Sequence, residues 1–594
     1  MRAQSYRVLE WFMATDWEYN RTGAPYNRLV ASCWQPVFTH FPEARQRHQT
    51  KATISTITAM SSSYIIPGTV FLILGHITVI VLYRLYFHPL AKYPGPFWAR
   101  ISAFPAYYYT LRQDRHIWFW RLQEIYGPTF RITPNSLLIN TPTGLKTIYN
   151  NKANVKKAEY YRVYPRNIHA VTTWNSIDKT THARKRRVMN HAFSDKALRS
   201  CEPFIHSNID RWIELLDQEI REKKWSGSLN MARWADHLVF DTLGELCFGK
   251  SFGMKEHDSE LRHIPTLMTD FMSTIHPIAY SPFAYLWAWL KPRGLDYLLA
   301  AVAPPALSKW QTFVEKCFTE RAQLENEARG AWKLGTESRK DFFHYLFHAI
   351  DPETGKGYSN DELFGESESL IIAGSDTSAI SLAAAFFYLT RYPHVQSKLA
   401  KELKSAFPSV EDIKSGSALY SCQYLRAFID ETMRMSPPVP ADLAREVQEG
   451  GIVVDGQYIP EGMKVSTASY CMHHNPDIYP EPFKFRPERW IVDEKDECGV
   501  SSASVCLAES AFMPFSAGPR GCVGKNLAYL EMSLALAKVV YHFEIRRDNS
   551  SNLGGGSPDA IKGRRTVDQY QLGDIFVANR DGPLVQLAKR TYMD

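Results

Sequence analysis

Two stretches of the chain are apolar on nearly every side, and most of the rest alternates at helical or strand periods. Residues 64–83 (YIIPGTVFLILGHITVIVLY) pass without a formal charge. As a helix this run is about 30 Å long, the thickness of a bilayer core, and it is read as a membrane-spanning segment. The second run, 370–389, sits inside a longer pattern. That pattern opens at Ser359 with Glu362 three residues on, a capping box, and is stopped by Pro393. It predicts a helix over about 360–391 buried through the centre of a large domain. Amphipathic periods predict further helices within 204–250 (208–222 among them), from about 182 to 193, over 425–435, and from just after Cys522 to about 542. Residues 130–132 and 136–139 read as short strands around the Thr133-Pro134-Asn135 turn. Residues 265–295 are dense in aromatics, while 494–510 and 549–568, rich in Gly, Ser and charge, read as surface insertions.

At 594 residues, 45% hydrophobic and 22% charged, the chain has the composition of a large globular protein. No Gly/Ser or Pro-rich linker divides its middle, so one catalytic domain is expected over 94–594. A net charge of +7 is too diffuse to imply a nucleic-acid partner; its densest cluster is Arg184-Lys185-Arg186-Arg187. Nine cysteines without paired spacing do not make a disulfide framework and fit a reducing compartment.

The basic residues flanking the apolar run are nearly balanced: Arg45, Arg47 and Lys51 before it, Arg84, Lys92 and Arg100 after it. A start at Met60 would leave only Ser61-Ser62-Ser63 upstream, and the charge bias would then place the carboxyl side in the cytoplasm. Residues 1–59, polar and without a signal-peptide pattern, are therefore expected to be a disordered or mis-annotated extension. Residues 60–93 are read as anchor and hinge, the latter stiffened by Pro94-Gly95-Pro96 just beyond.

The chemistry concentrates in two places. Phe515-Ser516-Ala517-Gly518-Pro519-Arg520-Gly521-Cys522-Val523-Gly524 reads F-x-x-G-x-R-x-C-x-G. A thiolate is a strong metal ligand, but a free thiol with pKa about 8.5 needs surroundings that favour the anion. Arg520 is one candidate source of that bias, and a helix beginning beside the sulfur, with its free amides, is another. The glycines allow close approach of the backbone to a flat group. Inside the apolar helix lies Ala373-Gly374-Ser375-Asp376-Thr377-Ser378, where an acid and hydroxyls interrupt the apolar run, an expense unless they serve something. Ala373, Gly374 and Thr377 are expected on one side, forming a niche beside the Thr377 hydroxyl.

Together these motifs resemble the cytochrome P450 superfamily of haem-thiolate monooxygenases, over about residue 64 to the end. The resemblance implies a mainly α (α+β) fold, with a large helical domain and a small β-rich subdomain behind one N-terminal transmembrane helix. It implies haem b with Cys522 as the iron's thiolate ligand, and Phe515, Arg520 and Gly524 forming the loop around it. His182 and Arg186, four residues apart on one helix face, and Arg445 would bind the propionates. Ala373 and Gly374 would border the oxygen niche, with Thr377 steadying bound dioxygen and Asp376 relaying protons. Glu431 and Arg434, an E-x-x-R pair, would join Arg489 of Pro487-Glu488-Arg489-Trp490 in a structural lock, with Trp490 standing where Phe is usual. Residues 576–588 resemble the closing hairpin, and Leu370, Ala441 and Phe576 are candidate pocket residues. Arg184, Lys185 and Arg187 would make a positive face for docking an acidic flavoprotein.

The same resemblance implies electrons from NADPH through NADPH–cytochrome P450 reductase, with cytochrome b5 as an optional second donor. It also implies dioxygen and a hydrophobic substrate, and a single-pass endoplasmic reticulum protein with its catalytic domain in the cytoplasm. Hydroxylation or epoxidation in fungal secondary metabolism (terpenoid, polyketide or alkaloid) is expected. The alternatives are detoxification of aromatic compounds, an isomerase or dehydratase that uses the iron without dioxygen, and a haem sensor. Cys471-Met472-His473-His474 lacks a second ligand pair nearby and is not read as a zinc site.

Overall fold

The Ser359 capping box forms: the Ser359 hydroxyl accepts the Glu362 amide at 3.2 Å, and the Glu362 carboxylate accepts the Ser359 amide at 3.1 Å. It opens the helix Asn360–Arg391, the central helix below, and Pro393 begins the next helix, Pro393–Ala406. A computed structural model describes residues 67–165, 171–220, 224–302, 305–331, 339–493 and 499–591. The proposed extension 1–59, Met60 and part of the 494–510 insertion lie outside them.

These residues fall into two units, 1–77 and 78–594. In the first, 67–77 is exposed apolar helix. The helix Pro67–Phe87 is 21 residues long, apolar enough to cross a membrane, and unburied. The other helix that passes on length and composition is the central one, but 72% of its apolar window is buried, as a core helix should be.

In the second unit, the central helix packs along Met231–Phe248 more extensively than any other pair of elements. Gly374 makes that approach possible, since a Cβ there would stand 2.6 Å from Leu243 Cδ1. A side chain at Gly374 would thus point at Leu243 on the neighbouring helix. The helix Lys525–His542 and the lock helix Gln423–Met435 complete the layer around it. The amphipathic stretch within 204–250 resolves into Asp195–Gln218 and Met231–Phe248.

A five-stranded sheet stands to one side, in the order Thr129–Thr133, Ser136–Ile139, Lys464–Ser466, Arg445–Val447, Val155–Lys157. Ser136–Ile139 and Lys464–Ser466 run parallel; the other pairs are antiparallel. The closing strand Leu584–Lys589 pairs with Phe543–Arg547, and a two-stranded hairpin, Gly573–Ile575 with Val577–Asn579, turns at Phe576. Part of the expected 494–510 insertion is instead a helix, Ser502–Ala511, whose Ala508 and Ala511 are buried in the core beside the sheet.

The lock forms and is fully buried. The Glu431 carboxylate accepts Arg434 Nε and Nη2 at 2.8 and 2.9 Å, Arg489 Nε at 3.0 Å and the Arg486 amide at 2.8 Å. Trp490 Nε1 donates to the same carboxylate at 3.0 Å, so the indole standing where Phe is usual adds a hydrogen bond. Burial opposes the charge on Glu431, but the two guanidiniums outweigh it and hold the acid below its usual range. Arg434 also donates to the His473 and Pro482 carbonyls, and His473 Nε2 accepts the Met513 amide at 3.0 Å. The Cys471–His474 stretch is therefore a strut between the lock and the loop that leads to Cys522. Replacing Glu431 by Gln leaves two buried guanidiniums short of a counter-charge and should destabilise the fold by ~3–5 kcal/mol. Trp490→Phe should lose only about 1 kcal/mol. Thermal unfolding of the two variants side by side checks the order, and equal midpoints would contradict it.

Candidate functional site

The cysteine loop is shaped by two residues in the left-handed region, Ser516 (φ 56) and Gly518 (φ 66). At Gly518 a Cβ would fall 1.7 Å from the Tyr149 carbonyl oxygen, so only glycine fits. The Cys522 amide donates to the Phe515 carbonyl at 2.9 Å and the Phe515 ring packs against Tyr529 with centroids 5.2 Å apart, closing the loop on the helix Lys525–His542. Cys522 is accessible, yet protein surrounds it closely enough that burial pushes its thiol up; it lies on the wall of a recess. The Gly524 amide, Arg186 and Lys525 pull the other way. Arg520 does not serve the sulfur: its guanidinium donates to the Ser176 and Ile177 carbonyls. Gly524 sits beside the sulfur, where a Cβ would make only ordinary contact with Sγ at 3.9 Å.

Around the recess stand cations without anions. Arg445 is 3% exposed; it donates to the Leu443 carbonyl at 2.8 Å and the Ala444 carbonyl at 3.3 Å, and it meets the Tyr161 hydroxyl and the Tyr149 ring rather than an acid. Arg186 donates to the Gly521 carbonyl at 2.7 Å and to Asn190 at 3.0 Å. Lys157 is opposite Arg445 in the strand register and donates to the Trp174 carbonyl; burial, then Arg445 and Arg520, push its amine well below the usual lysine range. Like charges directly opposed across strands are unfavourable. Burial holds the Arg520 guanidinium down at about 10, with Arg445 adding to the effect. Burial, then Arg520, Lys157, Arg186 and Arg445, hold His182 down at about 3, a neutral ring. Among the described residues no carboxylate forms an ion pair with Lys157, Arg186, Arg445 or Arg520. Sequence reasoning missed Lys157. Its signal lies in the pairing of two strands far apart in the chain, which no local pattern carries.

On the central helix Ala373 is exposed, and Leu370 and Thr377 partly so, between buried Ile371, Ser375 and Asp376. The Thr377 hydroxyl donates to the Ala373 carbonyl at 2.9 Å. Asp376 is 5% exposed, and its Oδ1 has no hydrogen-bond partner among the described residues. Burial pushes the acid up to about 7, against the pull of Arg580. Arg580 is itself paired with Asp236. A second buried acid escaped the sequence reading. Glu531, on the helix after Cys522, is pushed up to about 8 by burial, with Ser378 as its hydrogen-bonding neighbour. That contact ties the cysteine helix to the central helix one residue beyond Thr377.

Phe576 turns the hairpin at φ 86, a strained conformation for a bulky residue. Its ring lies among Trp174 (5.2 Å between centroids), Tyr164 (5.7 Å) and Tyr161 (6.3 Å), beside Lys157 and Arg445. Ala441 is 2% exposed in a separate core cluster with Phe119, Phe130 and Tyr470, away from this aromatic group. The expected docking face of Arg184, Lys185 and Arg187 is not free. Arg184 pairs with Glu362, Lys185 with Glu362 (3.0 Å) and Glu366 (3.5 Å), and Arg187 with Asp351 (2.5 Å) and Glu353 (2.9 Å). Intramolecular acids consume that charge.

An accessible sulfur at a helix start, a glycine-lined approach to it, and buried cations lacking acids fit a flat metal-holding group that carries carboxylates. Iron protoporphyrin matches that donor set.

The family model described as Cytochrome P450 matches residues 93–553. The chain is 36% identical over 528 residues to cytochrome P450 monooxygenase AKT7 of Alternaria alternata, covering 87% of this chain and 96% of that one. It is 37% identical over 516 residues to monooxygenase atnE of Emericella nidulans (86% and 93%) and 36% over 538 residues to monooxygenase apf7 of Gibberella fujikuroi (88% and 97%). The crystal structure of the cytochrome P450DA heme domain superposes with a TM-score of 0.61, covering 81% of this chain and 94% of its own, at 17% identity; the fold is shared.

Glu531 and Asp376 are both raised in the fold, so each stabilises it when protonated. That contribution is complete below the ordinary carboxylate range and is lost as pH climbs toward about 7 for Asp376 and about 8 for Glu531. Glu531→Gln should abolish on the order of 2 kcal/mol of the stability lost between pH 5.5 and 8.5. Parallel unfolding curves at the two pH values test this; identical pH slopes in parent and variant would refute it.

Proposed function

The chain belongs to the cytochrome P450 family and is a haem-thiolate monooxygenase; from that premise we propose that Cys522 holds the haem iron while Lys157, His182, Arg186, Arg445 and Arg520 hold the propionates. The observation that carries this assignment is a group of basic side chains, Lys157 and Arg445 buried and Arg186 and Arg520 half-buried, with which no carboxylate forms an ion pair among the described residues. Haem bound there supplies the activation of dioxygen and the transfer of one oxygen atom to a C–H or C=C bond.

The remaining roles fall to this chain's own side chains. Cys522 gives up the proton at Sγ on ligation, helped by the Gly524 amide and the Arg186 and Lys525 charges. Thr377 is oriented by its bond to the Ala373 carbonyl, which leaves its oxygen lone pairs free to accept. Asp376, poised near neutrality, takes and returns a proton at its carboxylate with little driving force against it. The Arg580 charge favours the ionised form of that acid against burial. Phe576, Tyr161, Tyr164 and Trp174 exclude water and present an aromatic wall to an apolar substrate.

Electrons come from NADPH through NADPH–cytochrome P450 reductase, with cytochrome b5 as an optional second donor. Lys525, exposed beside Cys522, offers positive charge toward an acidic partner. The helix Pro67–Phe87 anchors the protein to the endoplasmic reticulum as a single span, the catalytic domain facing the cytoplasm. Exposed Phe97, Trp98 and Phe104, with Phe283, Tyr285 and Trp289, give the catalytic unit apolar surface suited to lipid, from which a hydrophobic substrate would enter. The substrate is a small hydrophobic intermediate of fungal secondary metabolism.

Reduced protein exposed to carbon monoxide should give the thiolate-ligated haem band, and Cys522→Ala should lose it while remaining folded by circular dichroism. A parent spectrum of nitrogen-ligated haem would overturn the assignment. With substrate found by metabolite comparison of a deletion strain and its parent, turnover should require NADPH, reductase and dioxygen. Thr377→Ala should continue to consume NADPH while product per NADPH falls roughly tenfold or more; unchanged coupling would remove Thr377 from its role.

A further inference from the structure

Far from the cysteine in sequence and outside the machinery above, two helices bring three metal-ligating side chains together. Asp341 caps the helix Phe342–His348, its carboxylate accepting the His344 amide at 2.9 Å. His344 and His348 are four apart and so share one face; their ring centroids are 4.7 Å apart. The helix Pro305–Ala331 places Glu325, 2% exposed, against that face. One oxygen, Glu325 Oε1, lies 2.6 Å from His344 Nδ1 and 2.9 Å from His348 Nε2, and the three donor atoms all fall within 4.8 Å of one another.

The other carboxylate oxygen is already spoken for. Glu325 Oε2 accepts Arg321 Nη1 at 2.7 Å, and Arg321 is braced by Asp341 at 2.9 and 3.2 Å. This fixes Oε1 toward the imidazoles, as an outer partner orients a ligand in a metal centre. Burial raises the Glu325 acid, but bonds from His344, His348 and Arg321 outweigh it and hold the group ionised, at about 2. The surrounding charge does not repel a cation: Arg321 and Arg339 face three carboxylates, Glu325, Asp341 and Glu245. The imidazoles are 20% and 33% exposed, so an ion can reach the site from solvent.

Two imidazole nitrogens converging on one carboxylate oxygen each need a proton in the metal-free state. A divalent cation would replace both protons and use the same lone pairs. We propose that Glu325, His344 and His348 form a binding site for a first-row divalent cation such as zinc, with water completing a tetrahedral shell. Bound there, the ion would staple Pro305–Ala331 to Phe342–His348, two helices that both pack on the central helix.

The test uses haem-loaded full-length protein carrying Cys506→Ser, which removes the exposed thiol among the described cysteines other than Cys522. After chelator stripping, zinc chloride is titrated in by calorimetry, alongside His348→Ala and His344→Ala/His348→Ala. The expected result is one site per chain of micromolar affinity or better, at least tenfold weaker in His348→Ala and lost in the double variant, with a thermal midpoint that zinc raises in the parent and not in the double variant. His348→Ala keeps the His344–Glu325 bond, and an unchanged haem absorption band certifies its fold. His394→Ala, an exposed histidine elsewhere, should bind zinc as the parent does. Equal zinc affinity in parent and double variant, or no binding up to about 1 mM, a Kd equivalent to only about −4 kcal/mol, overturns the site.

Discussion

Positive charge that the protein itself leaves unanswered is the constraint on which the rest of this structure depends. Two like charges about 6 Å apart repel by about 3 kcal/mol at an effective dielectric of 20. Lys157, Arg186, Arg445 and Arg520 are gathered around one recess, where backbone carbonyls, the Asn190 amide and the Tyr161 hydroxyl receive them and no carboxylate pairs with them among the described residues. Carbonyl dipoles lower that penalty without neutralising the charge, and the neutral ring of His182, held so by burial first and by the neighbouring cations after it, is consistent with what remains. A folded state that keeps such a field with no carboxylate ion-paired to it among the described residues is suited to an anion supplied from outside, and the two propionates of a haem are such anions.

That field is useful only if its sources are held still. The Glu431 lock shows the opposite electrostatic arrangement, a buried acid answered by four side-chain donors and one amide. Its geometry passes outward through Arg434 to the His473 carbonyl, through His473 to the Met513 amide, and so to Phe515 and Cys522. A satisfied network rigidifies where a frustrated one would not. The lock and the cationic recess are therefore complementary: one is closed so that the other can stay open.

Much of this was legible in the chain. The central helix has the bounds that its capping box and Pro393 announce, because those signals act within one turn and need no partner. The cysteine loop was legible because each residue type answers a local demand, as Gly518 does against the Tyr149 carbonyl. What periodicity could not supply was the identity of the neighbour. Helical spacing put Gly374 near Ala373, but the structure adds a neighbour on another helix, Leu243, that crowds any side chain there. Ala441, grouped with the pocket by resemblance, is buried in the cluster with Phe119, Phe130 and Tyr470. Lys157 depends on strand register with Arg445, and Glu531 on which face of the cysteine helix meets Ser378. Each miss is a tertiary pairing between segments distant in the sequence.

The basic helix Lys179–Ala192 makes the strongest internal comparison. Its run Arg184-Lys185-Arg186-Arg187 looks uniform in sequence, yet the fold divides it. Arg184 and Lys185 meet Glu362 and Glu366 of the central helix, and Arg187 meets Asp351. Arg186, with His182 one turn before it, turns to the cysteine loop and meets no acid among the described residues. Carboxylates were available within the same few turns and were used for three of the four cations, so a shortage of acids does not explain the fourth. The pairing that fastens this helix to the central helix also fixes the orientation in which Arg186 and His182 face the recess. Neutralisation on one face and its absence on the other are thus one structural feature: the paired charges aim the unpaired ones.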